Sequence, residues 1–157
     1  MNVAELNVGY ARYDLDDPRI AEFMENLNRV NALAERSPGF VWRMQSDGGN
    51  ATDIAVPGDA DMIANMSVWR DVESLGAYVF NTVHARLYEK GPKWFKAMDR
   101  PHFVMWHVPE SHIPTLEEAM ERLTHLRVHG STDYAFGWDA VDMSAYRQCF
   151  GDRRVPA

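Results

Sequence analysis

MIANMSVWRDVESLGAYVFNTVHARLY (residues 62–88) is the stretch that decides the fold. Its first eight residues alternate. Met62, Ala64, Met66 and Val68 point to one side and Ile63, Asn65, Ser67 and Trp69 to the other, which is the period of a strand. Asp71 then offers a helix N-cap and the pattern changes to helical spacing, predicting a helix that runs to about Glu89 and stops at Gly91-Pro92. Val72, Leu75, Val79, Val83 and Leu87 form its apolar stripe. Phe80, His84 and Tyr88 form a second row at i, i+4, i+8, turned about 100° from the first. Seating a helix on a sheet needs one apolar face. This helix has a surplus face, and His84 stands on it, close in sequence to Trp94 and Phe95.

Outward from this stretch the signals are regular. Val3 to Tyr13 reads as a strand with Ala4, Leu6, Val8 and Tyr10 on one face and Glu5, Asn7 and Gly9 on the other. Asp17 and Pro18 start a helix carrying Ile20, Phe23, Met24, Leu27, Val30 and Ala34, and Ser37-Pro38-Gly39 ends it. FVWRMQ (40–45) is a second strand, SDGGN (46–50) a turn, and the chain to Asp61 a loop. HFVMWHV (102–108) is a fourth strand. Thr115 and Glu118 read as a capping box for a last helix with Leu116, Met120, Leu123 and Leu126, ended by Gly130. The order β-α-β-β-α-β is the ferredoxin-like α+β arrangement with an appended C-terminal helix, over residues 1–130. In the extension 131–157, Tyr134, Phe136, Trp138, Tyr146 and Phe150 show no period. It is expected to lie extended over the surface or a partner subunit, with a disordered end.

Two helices cover one face of a four-stranded sheet, so the other must be buried by something else. By this reading the second face carries Trp69, Asn7, Asn65, Ser67 and Arg43, and a second copy of the chain closes it, giving a dimeric barrel with an inter-sheet pocket. Mixed apolar and polar lining suits a small molecule. The face of Arg43 stays open, because a one-residue bulge would reverse it.

Composition excludes several classes. The 157 residues carry a net charge of −7, against the basic stripe that nucleic-acid binding needs; RLTHLRVH is the only candidate patch. Cys149 is the sole cysteine, so no intrachain disulfide or thiolate zinc site forms, and a reducing, cytoplasmic location is expected. The N-terminus lacks a basic region followed by an apolar run, and no stretch is apolar enough for a membrane span. GxSxG, GxGxxG and P-loop patterns are absent. His125 and His129 sit at i, i+4 near a helix C-terminus, where the dipole explains two imidazoles without a metal. His102, His107 and His112 share no face.

At WRDVESLGAYVFNTVHARLY the chain resembles the dimeric α+β barrel superfamily, which includes antibiotic-biosynthesis monooxygenases, muconolactone isomerases, haem-degrading monooxygenases and chlorite-dismutase relatives. AELNVGYARYDLDDPRIAEF, RVNALAERSPGFVWRMQ and NMSVWRDVESLGAYVF, with the later VMWHVPESHIPTLEEAMERL, are similar to a bacterial family known only as a domain of unknown function. The resemblance covers roughly residues 4–130. It implies a homodimer and a pocket between sheet and helices, and it fixes no reaction.

Three readings of His84 stay open: a structural histidine with satisfied ring nitrogens, a general acid or base near neutral pH, or, from the haem-degrading relatives, an axial iron ligand. The expected activity is a cofactor-independent monooxygenase-like or isomerase reaction on an apolar or aromatic metabolite. His84 would be catalytic, Asn7, Arg43, Asn65 and Ser67 would orient the substrate, and Trp69, Phe80, Tyr88, Trp94, Phe95 and His107 would line the site. For His107 a core-edge position is the simpler reading. The alternatives are a haem-dependent protein with His84 as ligand, and a non-catalytic, ligand-binding or stress-associated dimer.

Overall fold

The computed structural model describes residues 1–146. The elements are β1 (Asn2–Tyr10), α1 (Ala21–Arg36), β2 (Phe40–Arg43), β3 (Met62–Trp69), α2 (Val72–Asn81), α3 (Val83–Lys90), β4 (Phe103–Val108) and α4 (Leu116–His129). Short 3-10 turns occupy Pro18–Ile20, Gly91–Lys93, Trp138–Ala140 and Met143–Tyr146. The strands make one antiparallel sheet in the order β2-β3-β1-β4, so the architecture is ferredoxin-like α+β. No helix among the described residues is long and apolar enough to cross a membrane.

Local signals place the ends. Asp17 accepts from the backbone N–H of Arg19, Asp71 from that of Ser74, and Thr115 from that of Glu118. The second half of the expected capping box is spent elsewhere: the Glu118 carboxylate accepts from Trp106 Nε1 at 2.9 Å and pairs with His112 Nε2 at 2.6 Å. At Gly39, φ is +84° and a Cβ would lie 2.2 Å from Ser74 Oγ, so the turn into β2 requires glycine.

The faces of the sheet are the reverse of the sequence reading. The apolar set Ala4, Leu6, Val8, Ala64, Met66, Val68, Val104 and Trp106 packs under α4 (Ala119, Leu123, Leu126) and under the 44–61 connection through Met44, Ala51 and Val56. All eight are essentially inaccessible in the single chain. The mixed face is the one that α1, α2 and α3 cover. Both faces are therefore covered within one chain. The pocket lies between sheet and helices, as the resemblance implied, and not between two sheets. The physical reason is the appended helix, which serves as a second layer on the apolar face.

The helix expected from Asp71 to Glu89 is broken. Thr82 has extended backbone (φ −121°, ψ −176°); its hydroxyl donates to the Tyr78 carbonyl at 2.6 Å and accepts from the His84 N–H at 3.2 Å, closing α2 and capping α3. Phe80 and His84 consequently belong to different helices.

Residues 131–146 pack back over the surface of their own chain. Phe136 exchanges two backbone hydrogen bonds with Met105 on the outer edge of β4. Trp138 stacks on Phe103 (5.3 Å between ring centres) and meets Phe80 edge-on (4.8 Å). Cys149, Phe150 and the expected loose end lie outside the described residues.

Candidate functional site

Between the mixed sheet face and α1–α3 is a cavity of about 590 Å³. Its floor is built by strand alternation: Glu5, Asn7 and Gly9 of β1 and Ile63, Asn65 and Ser67 of β3. Arg43 joins them through a bulge. Phe40 pairs with Trp69 and Trp42 with Val68, so Val41 is the extra residue, and Arg43 comes opposite Ser67 on the cavity side. The question left open by the sequence is settled by this one residue.

The roof is aromatic and aliphatic. Phe23, Leu27 and Val30 of α1 face Tyr78, Val79 and Phe80 of α2, with His84, Leu87 and Tyr88 of α3 beside them. Trp94 and Phe95 close one end. They are held there because Arg12 N–H donates to the Trp94 carbonyl, Lys96 N–H to the Tyr10 carbonyl, and Arg12 Nε to the carbonyls of Pro92 and Phe95. Phe23 packs against both rings, at 5.7 and 5.0 Å. A Cβ on Gly9 would meet the Phe95 ring at 3.2 Å, so a larger residue there would push that ring away. Trp138 also lines the cavity, packed against Phe80 and Phe103.

His84 stands on the wall. Its Nδ1 lies 3.3 Å from the Val79 carbonyl. A carbonyl only accepts, so Nδ1 carries the proton and Nε2 of the neutral ring keeps its lone pair. Enclosure lowers the His84 pKa, against the opposing pull of the Val79 carbonyl, which keeps the ring neutral. Tyr78 and Tyr88 flank the ring, at 5.0 and 6.4 Å.

A second ionisable group, Glu5, was not singled out in the sequence. It is buried on the floor, and burial pushes its carboxyl up to about 7 despite the hydrogen bond from Ser67. Ser67 Oγ donates to Glu5 Oε1 at 2.5 Å and accepts from Trp69 Nε1 at 2.9 Å. The one available signal was position: Glu5 shares the alternation of Asn7 and Gly9. Tyr78 was also missed. Its hydroxyl donates to the Val30 carbonyl at 3.2 Å, and burial with the nearby Glu5 charge raises its pKa.

Of the residues expected at the site, His84, Asn7, Arg43, Asn65, Ser67, Phe80, Tyr88, Trp94 and Phe95 line this cavity. Trp69 and His107 do not. Trp69 is wholly buried behind the lining, stacked on Tyr78 at 5.0 Å and edge-on to Phe40 at 5.5 Å, so it supports Ser67 and Tyr78 without facing a ligand. His107 is exposed beside Phe136, because β4 runs out from under the helices there. Among the described residues no group of three or more His, Cys, Asp or Glu side chains is placed to hold a metal ion. His84 Nε2 is the atom a haem iron would take.

The sheet order, the covering helices and the enclosed cavity define a ferredoxin-like α+β domain. Within that class the chain belongs to the family described as domain of unknown function (DUF3291), whose model matches residues 2–149. A conserved protein from Methanosarcina mazei Go1 is similar in fold (TM-score 0.51, 9% identity, 69% of this chain and 94% of that one). Weaker likenesses reach SnoaB, a cofactor-independent oxygenase from Streptomyces nogalater (TM-score 0.46, 15% identity, 73% and 98%). They also reach a candidate antibiotic biosynthesis monooxygenase from Chloroflexus aurantiacus J-10-fl (TM-score 0.42, 22% identity, 69% and 93%). No curated protein matches the chain.

Proposed function

We propose that this protein is a cytoplasmic small-molecule enzyme that removes a proton from a largely apolar, aromatic substrate, using no cofactor. The observation that carries the reading is His84: a neutral imidazole on the wall of an aromatic-lined cavity, with Nδ1 committed to Val79 and Nε2 left as the base. A substrate C–H or O–H made acidic by an adjacent carbonyl gives its proton to Nε2, and the electron pair stays on the substrate as an enolate. In the isomerase branch the proton returns at another carbon. In the oxygenase branch dioxygen is the oxidant: its bond to carbon gives a peroxide anion, which takes the proton back from His84. The aromatic end formed by Phe23, Trp94 and Phe95 keeps water from the enolate. SnoaB, described as a cofactor-independent oxygenase, is compatible with the absence of a cofactor. A homodimer belongs to the same proposal, through a surface other than the sheet faces.

The test is hydrogen–deuterium exchange at the acidic carbon of a panel of aromatic ketones and enols, followed by NMR with and without air. Exchange accelerated by the protein and reduced about 100-fold or more by His84→Ala supports the reading. Binding without exchange across the panel would make the protein a carrier. A Soret shift at one haemin per chain that His84→Ala abolishes would assign His84 to iron instead.

A further inference from the structure

Arg43 leads beyond proton transfer. Its side chain is only 10% exposed, and Nε donates to Glu35 Oε1 at 2.8 Å on the outer side. Its Nη1 is buried with no hydrogen-bond partner among the described residues, and the residue lines the cavity. A buried guanidinium nitrogen without an acceptor forfeits a charge-assisted hydrogen bond, a cost that a ligand can recover. Register adds a second observation. Arg43 lies opposite Ser67, and Ser67 opposite Glu5, so three neighbouring strands set the cation, the hydroxyl and the carboxyl in a row across the floor.

We infer that the cavity takes an aromatic monocarboxylate, its carboxylate seated on Arg43 Nη1 and reaching toward Glu5, its ring directed toward Phe95. This rests on the proposal that the cavity is the substrate site. Ser67 occupies Glu5 Oε1, which leaves the other carboxyl oxygen to donate when protonated. Burial already pushes Glu5 up to about 7, so a neighbouring anion holds its proton in place. A phosphate dianion fits poorly, since the Arg43 guanidinium is shared with Glu35 and Glu5 lies on the same floor. Phe95 lies over Gly9, four residues along β1 from Glu5, or roughly 13 Å at the usual strand rise. That span accepts a fused-ring acid.

The test compares 2-naphthoate with methyl 2-naphthoate by titration calorimetry at pH 6.5, on wild type and Arg43→Met, each checked for folding by circular dichroism. The acid is expected to bind wild type at least tenfold tighter than the ester. In Arg43→Met the preference falls to within twofold while ester affinity holds; should that variant fail to fold, Arg43→Gln replaces it. Equal binding of acid and ester to wild type, a preference that survives loss of the guanidinium, or no binding of either compound overturns the inference. Ester binding without acid preference sinks the carboxylate and leaves the cavity reading standing. Acid preference without exchange activity sinks the catalytic proposal alone.

Discussion

Glu5 and Ser67 are direct cross-strand partners in β1 and β3, joined by a 2.5 Å hydrogen bond from Ser67 Oγ to Glu5 Oε1. The same oxygen of Ser67 accepts from Trp69 Nε1 at 2.9 Å. One hydroxyl thus ties the buried acid on the cavity floor to the indole behind it.

Ser67→Ala removes both contacts at once. It leaves the buried Trp69 N–H unpaired and takes from Glu5 a hydrogen bond that favours its charged form. The expected result is a loss of about 1–3 kcal/mol of stability in urea unfolding, and a Glu5 carboxyl that titrates higher than in wild type by infrared or NMR. An unchanged Glu5 titration would mean that Ser67 does not tune it.

The pH dependence of stability has two opposed parts. Glu5, with a folded-state value of about 7 against 4.5 for the free group, binds more protons folded than unfolded between those values. Its contribution is present below about pH 4.5 and is lost as pH rises through 7, on the order of 3 kcal/mol. His84 is depressed, so its contribution is present above 6.5 and is lost as pH falls. Glu5 and Arg43 both act on Tyr78, the first raising and the second lowering its pKa. Glu5→Gln is expected to flatten the decline between pH 5 and 7.5 and to leave the acidic decline in place, read from melting temperatures across that range. A slope unchanged in Glu5→Gln would place the titrating group elsewhere.

Much of the fold was legible because β1 and β3 alternate cleanly and Asp17, Asp71 and Thr115 mark helix starts. The assignment of faces was not. Counting only α1 and the 71–89 helix as cover left the polar face to a partner, whereas α4, with Ala119, Leu123 and Leu126, takes the apolar face. The connection 44–61 reads as a polar loop yet buries Met44, Ala51 and Val56. Alternation found Asn7, Asn65 and Ser67, but nothing singled out Glu5 on the same face, since burial is a tertiary property. Arg43 depended on a bulge at Val41 that no local residue announces.

Thr82 makes its own prediction. Its hydroxyl ends α2 and caps α3 two residues before His84, so Thr82→Ala should cost about 1 kcal/mol. It should also raise amide hydrogen exchange in residues 83–90 above that in β1 and β3. The histidine-specific readout is the His84 ring NMR signal: with the cap gone, the Nδ1–Val79 hydrogen bond weakens and the tautomer preference relaxes toward the solution mixture. Thr82→Ser retains the oxygen and should restore both. If exchange rises equally across the sheet, the effect is global and the cap has no local role.

Trp138 connects the C-terminal segment to the site. It is 8% exposed, stacks on Phe103, meets Phe80 edge-on and lines the cavity, while Phe136 anchors the segment to Met105. Trp138→Ala removes an indole from a wall shared by the core and the cavity, so it should lower stability by about 3 kcal/mol and leave a gap facing any ligand. Trp138→Phe keeps an aromatic ring between Phe103 and Phe80 and should lose less than half of that. The two effects separate in ligand kinetics. In Trp138→Ala, at a temperature where the variant is fully folded, dissociation of an apolar ligand should be at least tenfold faster than in wild type by stopped-flow, whereas in Trp138→Phe it should stay within threefold. Dissociation unchanged in Trp138→Ala would show that the wall bears on folding alone and that ligands leave by the Phe95 end.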